Sequence, residues 1–360
     1  MRHLSLFLTM FFFSAALMGQ AVRKTENVLF VTLDGLRWQE LFSGAVDSLL
    51  FDKTYTHDTA RLASKFWADT PEERRQKLMP FFWSVIQAQG QLYGNRQHGN
   101  KVDCSNQMWF SYPGYNEILS GKPDDARINS NSKTPNPNVT VLEHLHRKPA
   151  FQGKVAAFGS WDVFPFIINR ARCGFPVNAG FEPVAGWDLT CTEETLNKMQ
   201  RETPSPWNSV RLDAFTHNYA VEHLKKYRPR VLYIAYGETD DFAHDGRYDF
   251  YLEAAYNTDR LIAELWEMVQ SHPDYRDKTT MFITTDHGRG HTPKETWKHH
   301  GIKIQDAGDV WFAVIGPDTP ATGEMRVPGQ WYLAQSASTV ARFLGEVYPE
   351  GKPVTQMFRP

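Results

Sequence analysis

Val28–Gly35 reads VLFVTLDG, a run of apolar and β-branched residues that ends in an acid and a glycine. A short run of this kind, closed by a turn signal, is the pattern of a strand buried on both faces. The pattern recurs at Lys154–Phe158 (KVAAF), Val231–Tyr236 (VLYIAY), Thr280–Thr285 (TMFITT) and Val310–Ile315 (VWFAVI). Helical periodicity lies between these runs. Asp213–Tyr227 places Phe215, Tyr219, Ala220 and Leu224 on one side, and Tyr251–Val269 places Ala255, Ile262, Leu265 and Val269 on one stripe. Strand–helix–strand alternation predicts an α/β fold: a doubly wound, mostly parallel central sheet with helices on both faces. Phe51–Met108 and Arg172–Pro206 break the pattern. They read as insertions, at about 51–108 (an inserted cap region) and 172–206, within a single domain over 22–360.

Three of the buried strands run into acid: Asp34, Asp240 and Asp286. In open α/β sheets the ligand crevice lies beyond the carboxyl ends of the strands. Residues distant in sequence are thereby expected at one rim.

The chain has 360 residues, a formal net charge of −2 and 41% apolar residues. This is enough to bury a large core, and the charge gives no sign of nucleic-acid polymer binding. The N-terminus has a short basic region (Arg2, His3), an apolar run from Leu4 to Met18, and small residues at Gly19 and Ala21. The run is short for a membrane span, so residues 1–21 read as a cleavable signal peptide and the chain as periplasmic or secreted, with no membrane span in the mature chain. Cys104, Cys173 and Cys191 form an odd set. Either Cys173 and Cys191 close the loop between them, or all three are free thiols.

The strand ends carry the chemistry. Asp34, taken alone, reads as a helix N-cap as readily as a metal ligand. Asp240 and His244, in DDFAH, share one helical face, and a carboxylate with an imidazole suits zinc or manganese. Asp286 and His287, in TTDHG, are followed by Gly288 and Gly290, which permit a tight turn aiming both at one ion. In HHG, either His299 or His300 is a ligand candidate, with the other exposed. Ser111, in FSYPGYNEILSG, precedes a short helix predicted over Tyr115–Leu119. A helix N-terminus favours phosphate oxygens, and a bound cation activates a serine without a histidine base.

These motifs, in this order, resemble the alkaline phosphatase superfamily, and within it the nucleotide pyrophosphatase/phosphodiesterase branch. VTLDG, SYPGY, DDFAH, TTDHG and HHG follow the family's sequence of sites from Val28 to about Pro317. The resemblance implies two divalent metal ions, zinc by preference with manganese or iron as alternatives. One would be held by Asp34, Asp286, His287 and the Ser111 oxygen, and the other by Asp240, His244 and His300. It further implies hydrolysis of a small-molecule phosphate ester, a phosphodiester or phosphomonoester, through a covalent phosphoseryl intermediate. Relatives place an asparagine near the phosphoryl oxygens. Asn129 and Asn131 lie in that zone, Asn131 being preferred, twenty residues after Ser111. The branch usually has threonine at the nucleophile position, where this chain has Ser111. The sulfatase signature C/S-x-P-x-R is absent. Other readings of the same residues are a phosphonate hydrolase, a phosphomutase, or a non-catalytic protein that binds metal or phosphate.

Overall fold

The computed structural model describes residues 23–360. The segment read as a signal peptide lies outside the described residues. The strands are β1 (Asn27–Leu33), β2 (Gly90–Tyr93), β3 (Asn100–Asp103), β4 (Val155–Gly159), β5 (Val177–Ala179), β6 (Val231–Tyr236), β7 (Thr279–Thr284), β8 (Asp309–Val310), β9 (Phe312–Ile315), β10 (Gly323–Glu324) and β11 (Gly329–Tyr332). Eight of them form the central sheet, in the order β10-β2-β9-β7-β1-β6-β4-β5. β9 runs antiparallel to both of its neighbours, and every other pairing in this sheet is parallel. β11, β3 and β8 make a small separate sheet.

The central strands are buried on both faces, as their composition requires. Along β1, Leu29, Val31 and Leu33 enter one apolar cluster, while Val28 and Phe30 enter the other. β6 and β7 alternate in the same way, with Leu232, Ile234, Met281 and Ile283 on the first face and Tyr233 and Phe282 on the second. This is the period-two alternation of a pleated strand. The first face is covered by helices Asp213–Tyr227 and Tyr248–Ser271, the second by Ser111–Ser120, Val141–His146 and Ser336–Phe343.

Two expectations are corrected. Val310–Ile315 is not one parallel strand. Val310 belongs to β8 in the small sheet, and β9 is antiparallel in the large one. Trp311 stands between them, its indole N–H donating to the Leu36 carbonyl at 2.8 Å. An unbroken apolar run reports cover on both faces and says nothing of strand direction. The disulfide alternative for Cys173 and Cys191 is also excluded: all three cysteines are free.

The 51–108 stretch begins as an excursion, with helices Thr59–Phe66 and Pro71–Leu78, but then supplies β2 to the central sheet. Leu62, Phe66 and Leu78 share the apolar cluster of β1. Residues 172–206 supply the edge strand β5 and helix Cys191–Glu202. Among the described residues no helix is long and apolar enough to cross a membrane.

Phe30 is fully buried and meets Tyr233 and Phe282 edge-on, at centroid distances of 5.4 and 5.5 Å. Phe30→Ala leaves a cavity at the centre of the sheet and is expected to cost about 3–5 kcal/mol, read as a lowered urea midpoint with the denaturant slope unchanged.

Candidate active site

Strand order brings the acids together. β7, β1 and β6 are adjacent and parallel, so their carboxyl ends form one continuous rim. Asp34 follows β1, Asp286 and His287 lie just past β7, and Asp240 sits in helix Glu238–His244 just past β6. The Asp34 N–H still donates to the Tyr236 carbonyl, extending the β1–β6 ladder to the site itself.

The residues fall into two groups. Asp34, Asp286 and His287 offer ligand atoms within 4.8 Å of one another, and so do Asp240, His244 and His300. In the first group His287 Nε2 lies 3.4 Å from Asp34 Oδ1 and 3.5 Å from Asp286 Oδ2. Its Nδ1 faces the Gly288 carbonyl at 2.9 Å. Donation there fixes the ring so that Nε2 faces the carboxylates, where it would offer its lone pair to a cation that displaced its proton. In the second group His244 Nε2 lies 3.2 Å from Asp240 Oδ2 and 2.9 Å from His300 Nε2. His300 stacks on His287 with ring centroids 4.0 Å apart, which joins the two groups. His299 is exposed and stands outside both.

The electrostatics ask for positive charge. Asp34 Oδ1 and Asp286 Oδ2 are buried and have no hydrogen-bond partner. A buried, unpaired carboxylate oxygen is costly unless a cation faces it. Burial first, and Asp34 second, push the Asp286 carboxyl well above its ordinary pKa. Burial lowers His287, but Asp286 and Asp34 outweigh it and raise the imidazole to about 9. His300 is instead driven well below its usual value, by burial and then by His287. Carboxylate oxygens and imidazole nitrogens gathered around buried negative charge fit divalent cations.

Ser111 is nine-tenths buried or more and its Oγ lies 3.4 Å from His287 Nε2, beside the first group. The predicted short helix is longer than expected: it spans Ser111–Ser120, so the serine is its first residue rather than a residue ahead of it. The helix is fixed by three contacts. The Tyr115 hydroxyl, one turn on from Ser111, donates to Asp34 Oδ2 at 2.9 Å. The buried Glu117 carboxylate accepts the N–H groups of Ser105, Asn106 and Ala334. Gly114 lies against the strand end, where an added Cβ would stand 2.2 Å from the Asp286 carbonyl oxygen. Asn131 Oδ1 accepts the Tyr112 N–H at 3.0 Å, so its amide sits at the N-terminus of the helix with its NH₂ free to donate. Asn129 makes no comparable contact with that helix.

Sequence reasoning did not assign Tyr115 a part, although its i, i+4 spacing from Ser111 places both on one helical face. Arg37 and Arg289 lie near the motifs but turn inward. Arg37 pairs with the buried Glu40, and Arg289 with Asp240.

The family model for type I phosphodiesterase / nucleotide pyrophosphatase matches residues 55–335. The chain belongs to that family, a group of hydrolases acting on phosphoesters. The match begins after Asp34, which the fold nevertheless sets beside Asp286. No curated protein matches the chain in sequence. Solved structures show the fold of this phosphodiesterase-family chain more widely. It is similar to the crystal structure of the alkaline phosphatase PafA, with a TM-score of 0.64 and 12% identity, covering 94% of this chain and 100% of that one. It is similar also to the phosphonate monoester hydrolase SpPMH from Silicibacter pomeroyi (TM-score 0.57, 12% identity, 93% and 78% covered). A third is the lipoteichoic acid synthase LtaP from Listeria monocytogenes (TM-score 0.55, 13% identity, 91% and 74% covered).

Gly114→Ala tests the contact that sets the distance between Ser111 and Asp286. The helix must move away from the strand end, and a displacement on the order of 1 Å is expected to lower the hydrolysis rate about 100-fold. Circular dichroism should show a folded protein.

Proposed function

We propose that this chain is an exported two-metal hydrolase of phosphoric esters acting through a covalent phosphoseryl intermediate, with one catalytic domain over 22–360. The observation that carries this is the position of Ser111 Oγ, 3.4 Å from His287 Nε2 and at the start of a helix pinned to Asp34 and Asp286. Asp34, Asp286 and His287, with the serine oxygen, would hold one cation; Asp240, His244 and His300 would hold the other. Zinc suits both donor sets, and manganese or iron suits them next. When bound, such a pair supplies the positive charge that activates a hydroxyl nucleophile and neutralises charge developing on the leaving oxygen.

The chain's own residues do the rest. Ser111 Oγ loses its proton to solvent and attacks phosphorus, forming the Oγ–P bond as the P–O bond to the leaving group breaks. The leaving oxygen takes a proton from water. A second water then attacks phosphorus, releasing the phosphate product and restoring the serine hydroxyl. Asn131 holds its amide by the Tyr112 N–H and directs its NH₂ toward a phosphoryl oxygen. Tyr115 keeps Asp34 and the serine on one rigid unit.

A phosphodiester fits better than a monoester. A monoester brings a second negative charge to the nucleophile side. Arg37 and Arg289, the two arginines next to the motifs, spend their guanidinium groups on Glu40, Asp240 and buried carbonyls. The family membership agrees with this preference.

Initial rates on bis-p-nitrophenyl phosphate and p-nitrophenyl phosphate, with metal analysis of the same preparation, test the reading. Diester turnover with about two metal equivalents is expected; a preparation that binds no metal even after reconstitution would sink it. Ser111→Ala should lose turnover by at least about 1,000-fold while keeping its metal, because only the nucleophile is removed. Asp286→Ala should lower both metal content and rate; full activity with one equivalent missing would argue against the two-cation arrangement.

A further inference from the structure

A second charged site lies at the other pole of the sheet, by the amino end of β1. Arg23 precedes β1 by four residues, and Arg342 is in the last turn of helix Ser336–Phe343. Both guanidinium groups face the ring of Phe358, at 4.8 and 4.6 Å from its centroid. That ring is buried and packs on Phe343, with centroids 4.4 Å apart. Both arginines are half-buried and line one cavity of about 350 Å³, together with Ser338, Glu346 and Tyr348. This is the size of a small-ligand site.

The charge in this cavity is not balanced. One cation over an aromatic face is favourable, but two drawn to the same ring repel each other, and the ring neutralises neither. Other arginines of the chain are paired with acids: Arg75 with Glu324, Arg172 with Glu143 and Arg247 with Asp249. Among the described residues, Arg23 and Arg342 have no carboxylate partner. Arg23 reaches only the Arg359 carbonyl, at 3.4 Å. Residues 1–22 contain no Asp or Glu that could serve it. Glu346, the acid in the cavity wall, is paired with Lys148 at 3.4 Å.

We propose that this cavity binds a phosphate-type oxyanion, free in solution or carried on a lipid headgroup, through the guanidinium groups of Arg23 and Arg342. Each guanidinium is a planar fork of N–H donors, and two forks suit the several oxygens of a tetrahedral anion. The anion's charge would also remove the repulsion between them. The site is distinct from the candidate active site. The seven residues of β1 alone, on the order of 20 Å of strand, separate Arg23 from Asp34. The proposal does not depend on the two-cation reading.

Calorimetric titration of the metal-loaded full chain with inorganic phosphate tests it. Wild type should show a phosphate step that Arg23→Gln and Arg342→Gln each weaken by at least about tenfold, the effect of losing one charge-assisted hydrogen bond. Hydrolysis rates without added phosphate should stay at the wild-type level in both variants. Ser111→Ala, at the opposite pole, should keep the step. Arginines that serve only to pack on Phe358 would lower the unfolding midpoint of their variants and leave phosphate binding unchanged, which would overturn the proposal. Should one variant fail to fold, the other decides. Sedimentation with phosphatidylglycerol vesicles separates the two sources. A headgroup site carries wild type down with the vesicles and leaves Arg342→Gln in solution, whereas a free-ion site leaves both in solution while phosphate still titrates. If neither phosphate nor vesicle binding depends on the two arginines, the site does not exist. Loss of all hydrolysis with this phosphate step intact would count against the proposed reaction and not against this site.

Discussion

Asp34 and Asp286 are held side by side, each with one oxygen that nothing in the protein satisfies. Much of the architecture serves to keep them there. The β7-β1-β6 strand order makes the two residues neighbours, and the apolar packing on both faces of the sheet keeps water from screening them. Left alone, this arrangement is unfavourable, as the raised Asp286 pKa and the raised His287 pKa both record. The protein therefore stores a demand for positive charge at one point on the sheet rim. The helix that begins at Ser111 is fastened to that same point by Tyr115 and Gly114.

A second layer of buried charge supports the first. Arg37 and Glu40 form a fully buried pair that Tyr248 joins through a hydrogen bond to Glu40. Arg37 also donates to the Gly290 carbonyl, and the neighbouring Arg289 reaches Asp240 and Gly35. Buried ion pairs of this kind contribute little net stability, because desolvation offsets most of their attraction. Their effect is to give the turn after His287 one conformation. The glycines on either side of Arg289 let the Asp309 carbonyl and the Thr296 side chain pack directly against that turn, and the arginines hold it.

Much of this was legible in the sequence, for a physical reason. Buried parallel strands must be apolar almost throughout, so β1, β6 and β7 stand out as runs, and the first charged residues beyond them mark the rim. Helix Asp213–Tyr227 matches its apolar stripe from end to end. What was not legible depends on long-range pairing. The reversal of β9 cannot be read from VWFAVI, since both directions bury the same side chains. β2, at four residues, lies within a mostly polar and helical stretch whose composition hides it. The inward turn of Arg289 was invisible too, because an arginine next to a phosphate-type motif looks the same whether it faces a ligand or a carboxylate. Tyr115 was within reach by helical spacing alone, but its partner Asp34 is supplied by a different strand.

The sheet order has a kinetic side. The partners that meet at the rim are far apart along the chain: Asp34 and Asp286 come from β1 and β7, and Asp240 from β6 between them. No local segment contains a complete ligand set. The site comes into being only when three strands, separated by long connections, have closed into register, and such non-local pairings are among the slowest events in folding. Any cation held as proposed would therefore be captured late in assembly, since an unfolded or partly folded chain carries nothing that resembles the finished cluster.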